Sequence, residues 1–250
     1  MFNLSSPYPP GLTRRTWPLF LGAVVVAIAV LLPFDHSLSS LAVHQSSDVL
    51  EFFAGVTRWG KSDWLLYPSA ALLAVSALAA RLIPDRISKL ALIEMNEMYA
   101  LILLGVGLPG LLTNILKRII GRARPEMFDQ LGYLAFRPFS GYRFESFPSG
   151  HTTTAFAAAM VLGFLAPRWF GVGLIYAFAV AASRLVLGAH YPSDVLGGAV
   201  VGTIGAYLVR DYFARRRWGF DRTGDGRIVA RRAVGVSRLI SRFQRPKAAR

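Results

Sequence analysis

Long apolar runs separated by short polar stretches make up most of the chain. Six of them, Trp17 to Phe34, Trp64 to Ile83, Met98 to Leu116, Thr152 to Ala166, Trp169 to Gly188 and Val195 to Val209, approach the roughly 20 residues a helix needs to cross a hydrocarbon core about 30 Å thick. Inside lipid a run of this kind must satisfy its own backbone, which a helix does. Several runs start or stop at Trp or Tyr, as interfacial anchors do. The fourth and sixth are short unless they extend into the polar segments Pro148 to His151 and Tyr191 to Asp194. Between the first two runs, His36 to Thr57 is mixed, with Val43, Leu50, Phe52, Phe53 and Val56 able to form one apolar face, and predicts an interfacial helix whose His36 and His44 are surface residues. At the far end Val229, Ala233, Val236, Ile240 and Phe243 recur at helical spacing with Arg231, Arg238, Arg242 and Arg245 between them. That pattern predicts a basic amphipathic helix on the anionic inner leaflet. The resulting plan is all-α and polytopic: a leader over 1–16, a six-helix membrane bundle with an outer interfacial helix over 17–210, and a basic tail over 211–250.

Composition agrees with this plan. Hydrophobic residues are 54% of the 250 and charged residues only 17%, too apolar for an ordinary water-soluble domain. With no cysteine, disulfides, thiolate metal sites and cysteine nucleophiles are excluded. The net charge of +14 calls for an anionic partner, and its distribution selects membrane lipid over nucleic acid: Arg14 and Arg15 precede the first run, Arg86 and Lys89 lie between the second and third, and arginines crowd the tail. By the positive-inside rule both termini are cytoplasmic, and the loops 35–63, 117–149 and 189–194 face outward. The first run is longer than a signal-peptide core and has no small-x-small cleavage site behind it, so it reads as a retained anchor. Asp221 to Arg232 starts like a calcium-binding loop, but Arg232 stands where a bidentate Glu belongs, and the segment reads as a turn.

Three outward polar clusters carry candidate chemistry. Lys117 and Arg124-Pro125 are seven residues apart, two turns of a continuing helix. Pro148-Ser149-Gly150-His151 opens an apolar helix, where free N–H groups and the helix dipole favour an anion. Ser183-Arg184, then five residues to His190 and three to Asp194, places an ionisable side chain at an apolar helix end and a carboxylate within one turn of an imidazole. Such a carboxylate fixes the tautomer and frees the other ring nitrogen to attack. Taken singly, each cluster also fits snorkelling cations or an ordinary helix start; together, in this order and on one side of the membrane, they point to phosphoryl transfer.

These motifs resemble those of the type 2 phosphatidic acid phosphatase superfamily, which includes bacterial lipid phosphatases and shares its site with vanadium haloperoxidases. The resemblance covers Lys117 to Asp194 in motifs and about Trp17 to Val209 in helical plan. It implies His190 as nucleophile, Asp194 as its orienting carboxylate and His151 as acid and base. It further implies that Lys117, Arg124, Ser149, the Gly150 N–H and Arg184 hold the phosphoryl oxygens, with no metal and no other cofactor. The implied substrate is a lipid phosphate at the outer, periplasmic face of a bacterial inner membrane. Phosphatidic acid, phosphatidylglycerol phosphate, undecaprenyl pyrophosphate and a lipid A phosphate all satisfy that description. Transfer of the phosphate to a second lipid, or a silent lipid-phosphate binder, would use the same motifs. Arg118, Arg122, Arg137 and Arg143 add positive charge to the outer segments, and Arg137 and Arg143, amid Tyr133, Phe136, Phe139, Tyr142 and Phe144, are candidates for headgroup recognition.

Overall fold

In the computed structural model, residues 4–9, 11–132 and 134–244 are described. Tyr133, Arg245 and the side chain of Phe243, named above, lie outside them. Ten helices are present among the described residues: α1 (Trp17–Leu31), α2 (Asp35–Val43), α3 (Ser47–Arg58), α4 (Asp63–Leu82), α5 (Arg86–Ile120), α6 (Phe128–Leu131), α7 (Gly150–Leu165), α8 (Phe170–Val186), α9 (Pro192–Arg216) and α10 (Val234–Gln244). Strands β1 (Phe220–Arg222) and β2 (Ile228–Ala230) pair antiparallel between α9 and α10. Five stretches, Trp17–Val43, Ser47–Leu82, Arg86–Ile120, Pro167–Val186 and Pro192–Arg216, are long and apolar enough to cross a membrane. The helix Gly150–Leu165 is also apolar but shorter.

This short helix, α7, is the centre of the bundle, packed against α5, α8 and α9. Ala155, Phe156, Ala157, Ala159, Met160, Val161 and Phe164 are all buried along it, as expected for a helix that is apolar all round and enclosed by protein. The approach of α9 to α7 depends on glycine. A Cβ on Gly198 would stand 2.5 Å from the carbonyl oxygen of Ser149, and one on Gly202 would stand 2.3 Å from that of Thr153. Backbone therefore meets backbone, and small residues allow that contact where the apolar driving force between helices is weak. The contact sets the start of α7 against the start of α9. By contrast α1 buries no residue, and Leu19, Val25 and Val26 on it, Leu72 and Val75 on α4, and Ile175 on α8 are exposed in an apolar outer belt.

Two expectations change at the ends of the bundle. The segment expected to form one interfacial helix is two helices, α2 and α3, because residues 44–46 interrupt the helical backbone and Ser46 is extended as the N-cap of α3. His36 is not simply a surface residue: its ring stacks on Phe128 with centroids 3.4 Å apart. At the end of the bundle that follows α9 the expected turn forms the tip of the β1–β2 hairpin. The expected tail helix, α10, docks on protein. The Glu94 carboxylate of α5 accepts the N–H groups of Gly235 and Val236 at 2.9 and 3.0 Å, and Arg242 Nη1 lies 3.1 Å from Asp85. These bonds satisfy orphan donors at the start of α10 with a negative charge where the helix dipole favours one. Arg210 of α9 is buried between the rings of Phe164 and Tyr207, 4.4 and 4.5 Å away, and donates to the carbonyls of Leu4 and Ser6.

Candidate active site

The first cluster is not a helical pair. Helix α5 stops at Ile120 because Gly121 adopts the left-handed conformation, φ 65°, and donates its N–H to the carbonyl of Lys117. A Cβ there would sit 2.3 Å from the backbone of Arg137, so both the conformation and the close approach require glycine. Beyond it the chain runs extended and Arg124 turns back onto the carbonyls of the loops at this end of the bundle. Its Nε donates to the carbonyl of Tyr142 at 3.0 Å, Nη1 to that of Ala189 at 3.0 Å, and Nη2 to that of Glu145 at 3.4 Å. Lys117 stays on α5 and pairs with Glu145 at 3.1 Å. The two cations are therefore brought near one another through Glu145 and its backbone, not by helical periodicity.

Ser149 is the N-cap of α7 and is fully buried. Its N–H donates to the carbonyl of Asp194 at 3.0 Å, and its Oγ accepts from Thr152 Oγ1 at 3.0 Å. The first backbone N–H groups of α7 belong to Gly150 and His151, so the dipole of the central helix ends at this motif. His151 experiences the charges of Arg184, His190, Lys61 and Arg124. Gly60 packs directly on it: a Cβ there would meet His151 Cδ2 at 2.8 Å. Beside His151 a cavity of about 390 Å³ is lined by Lys61, Asp63, Asn114 and Lys117 over a floor that includes Leu66 and Gly110.

The third cluster is a helix end followed by a helix start. Gly188 is left-handed, φ 60°, which turns the chain so that the N–H groups of Ala189 and His190 both donate to the Arg184 carbonyl, at 3.0 and 3.2 Å. Tyr191 then caps α9 with Pro192 in its first turn, and Asp194, three residues on, accepts the Tyr191 N–H at 2.9 Å. This places Asp194 Oδ2 3.6 Å from Nδ1 of His190, an ion-pair separation slightly beyond a hydrogen bond. Nε2 is the nitrogen across the ring. His190 is 3% exposed. Burial pushes the imidazole below its ordinary range; Asp194 opposes that shift while Arg124 and Arg184 add to it. Its neutral form is thus favoured, leaving a lone pair for attack. Arg184 donates Nη1 to Thr57 Oγ1 at 2.5 Å, whereas its buried Nε has no hydrogen-bond partner among the described residues. A buried orphan donor of this kind costs about 1–3 kcal/mol, which a phosphoryl oxygen would relieve.

Behind His190 lies a network that the sequence did not suggest. Arg122, expected on the outer surface, is 1% exposed. Its Nη1 donates to Asp194 Oδ1 and to Ser193 Oγ, both at 2.6 Å, and its Nη2 to Asp35 Oδ2 at 2.7 Å. Ser193 donates its N–H to Asp35 Oδ1 at 3.0 Å and its hydroxyl to Asp35 Oδ2, while Ser146 Oγ donates to Asp194 Oδ2 at 2.6 Å. Burial works against the Arg122 charge, and Asp194 and Asp35 more than offset it, holding its pKa above the ordinary value. Burial pushes the neighbouring Tyr191 hydroxyl up to about 12. Breaking one member of a buried ionic set typically costs about 3–5 kcal/mol. The other arginines of this loop region differ from it. Arg118 is exposed beside Glu145, the Arg143 side chain is 71% exposed and 3.9 Å from Glu126, and the Arg137 guanidinium lies 5.3 Å from the Phe144 ring.

Among the described residues, no group of three or more His, Asp or Glu side chains is placed to hold a metal ion. The site therefore unites a buried imidazole–carboxylate pair, a second histidine, and cations from four separate segments.

Comparison with known proteins identifies relatives of the whole chain. Residues 98–218 match the model of the PAP2 superfamily. The lipid A 1-phosphatase of Rhizobium johnstonii is 35% identical over 218 residues, covering 86% of this chain and 87% of the relative. That of Rhizobium etli is 36% identical over 215 residues, covering 86% of this chain and 91% of the relative. Among solved structures, a transmembrane PAP2-type phosphatidylglycerolphosphate phosphatase from Bacillus subtilis superposes with a TM-score of 0.56 at 26% identity, covering 79% of this chain and 95% of that one. Near full-length similarity and shared helical architecture lead to one assignment: this chain belongs to the PAP2 superfamily.

Proposed function

We propose that this membrane phosphatase hydrolyses a lipid phosphate at the outer face of the membrane through a phosphohistidine intermediate, without a metal ion. The observation that carries the reading is the buried His190, backed by Asp194 and surrounded by His151, Arg124 and Arg184. In the proposed sequence Nε2 of His190 attacks phosphorus as the bond to the lipid oxygen breaks. His151 gives its proton to that oxygen. His151 then takes a proton from a water whose oxygen attacks the phosphohistidine, and the P–N bond electrons return to His190. Arg184, Arg124, Lys117, Ser149 and the Gly150 N–H hold the phosphoryl oxygens, acting where charge spreads in the transition state.

Sidedness rests on charge and on α5. Arg86 opens that helix and Lys117 is near its other end, so the motif end is remote from the end that bears α10. With the basic tail inside, six crossings put the motifs outside. The similarity to lipid A 1-phosphatases makes a lipid A 1-phosphate the first substrate to offer. The cavity beside His151, on the leaving-group side, offers Lys61, Asp63 and Asn114, a mixed donor and acceptor set suited to a polar headgroup. Arg137 and Arg143 are proposed to meet the headgroup on the outer loop. Alanine at both should raise KM for lipid more than it lowers kcat, and an unchanged KM would leave them as ordinary surface cations.

The reading is tested by offering purified protein in detergent, with EDTA present, the four lipids named above and a soluble phosphate ester. Release from one lipid, with rapid acid-free quenching trapping radiolabelled phosphate on the protein in an acid-labile, base-stable bond, is the expected result. Release abolished by EDTA and restored by a divalent metal, or turnover without any labelled protein under single-turnover conditions, would overturn it.

A further inference from the structure

The buried set behind Asp194 joins residues that lie outside the three motifs. Asp35, at the start of α2, and Arg122, in the loop after α5, are 87 residues apart in sequence and joined at 2.7 Å. Asp35 is the residue at which the chain leaves the first membrane run, and it is fully buried. Two carboxylates thus share one guanidinium, with Ser193 bonded to both Asp35 and Arg122. The formal charges are −1 for Asp35, +1 for Arg122 and −1 for Asp194, leaving one net negative charge directed at His190.

We infer that Asp35 and Arg122 are positioning residues for the His190–Asp194 pair: Arg122 fixes the Asp194 carboxylate, and Asp35 neutralises Arg122 so that the charge of Asp194 reaches His190 undiminished. This rests on the assignment of His190 as nucleophile. The argument is electrostatic and geometric. An imidazole that attacks phosphorus gains positive charge, and a carboxylate behind Nδ1 stabilises it. An arginine bonded to that carboxylate would by itself cancel much of the benefit, since charges that are buried are poorly screened. A second buried carboxylate on the far side of the guanidinium restores it. Arg122 meanwhile directs Oδ1 away from His190, while Ser146 and the Tyr191 N–H bind Oδ2, the oxygen that faces the ring. The carboxylate has no freedom to rotate without losing one of these bonds.

Charged groups face this set from several elements, Asp129 among them through Tyr191. His190 is faced by Asp194 from α9, Arg184 from α8, Arg124 from the outer loop and His151 from α7. Arg122 is faced by Asp35, Asp194 and the Tyr191 ring, 4.4 Å from its guanidinium. Removing the Asp35 charge leaves an extra positive charge near His190, while removing the Arg122 charge leaves an extra negative one. The two changes must therefore move the acidic limb of the kcat/KM profile in opposite directions.

The experiment compares wild type, Asp35→Asn, Arg122→Gln, the double variant and His190→Ala, purified whole in detergent, for phosphate release across pH, with melting temperatures alongside. Asp35→Asn should lower kcat by about 10- to 100-fold and move the acidic limb down by about 1 pH unit, with Arg122→Gln moving it up by a similar amount. The double variant, in which both charges are gone, should return the limb toward wild type. Shifts of one sign in both single variants, or an unchanged limb and kcat in folded Asp35→Asn, would overturn the inference and leave a purely structural cluster. Should Arg122→Gln fail to fold, the near-isosteric Asp35→Asn decides alone. If His190→Ala releases phosphate like wild type, it is the nucleophile assignment that has failed; if only His190→Ala is inactive and Asp35→Asn is normal, it is this inference.

Discussion

His190→Ala should release lipid phosphate about 10⁴-fold or more slowly than wild type, the scale on which loss of a nucleophile is felt in covalent catalysis. The loss should be in kcat, because the groups that would hold the substrate, Arg184, Arg124 and Lys117, keep their own partners: Thr57, the carbonyls of Tyr142 and Ala189, and Glu145. The fold should survive. Asp194 retains Arg122, Ser146 and the Tyr191 N–H after the ring is removed, so no buried charge is stranded. An unchanged melting temperature with residual activity below about 10⁻⁴ of wild type is the expected pair of results. Activity within a factor of about ten of wild type would move the nucleophile elsewhere.

The second large effect depends on the leaving group. His151→Gln should slow release from a lipid phosphate by about 10²- to 10⁴-fold, the usual contribution of a positioned proton donor. With 4-nitrophenyl phosphate, whose leaving oxygen departs without a proton, the single-turnover step that releases 4-nitrophenolate and labels His190 should slow by about 10-fold or less, while the later water attack is slowed for both substrates. Equal losses in the labelling step on both substrates would instead make His151 a binding or structural residue. The environment of His151 makes the contrast informative. Val180 and Gly60 pack on the same spot, a Cβ on Gly60 meeting Val180 at 2.7 Å and His151 at 2.8 Å, so the ring has a fixed seat. Glutamine at this position keeps polarity and approximate size while removing the proton carrier.

The membrane plan was legible because it follows from transfer energetics along the chain: each apolar run forms a helix where the pattern predicts one. The third cluster was legible too, since four residues from His190 to Asp194 place ring and carboxylate together once Tyr191 caps α9. What was misread depended on single residues with distant consequences. Seven residues from Lys117 to Arg124 suggest two helical turns, but Gly121 ends α5 between them. Arg122 looks like any loop cation in the sequence, because its partners Asp35 and Asp194 are remote along the chain and nothing in their local patterns links them. Asp35 similarly reads as the polar boundary of a membrane run. Burial of an ionic set is a property of the assembled bundle, and no periodicity encodes it. The sole local hint was the density of basic residues from Lys117 to Arg124, more than an outward loop ordinarily carries. The tail illustrates the same limit: its amphipathic pattern marks a helix, whereas the choice of Glu94 and Asp85 as partners emerges only when α5 is beside it.

The contacts of α1 to α3 bear on how divisible this enzyme is. The family segment spans residues 98–218 and carries every motif side chain. Yet Asp35, Thr57 and Gly60, which touch Arg122, Arg184 and His151 respectively, all precede it. A graft of 98–218 onto another scaffold would therefore transplant the reacting groups without the parts that seat them. In this protein the motif-bearing half is not a module, and α2, α3 and the turn after α3 belong with the proposed site, whereas α1 itself buries nothing.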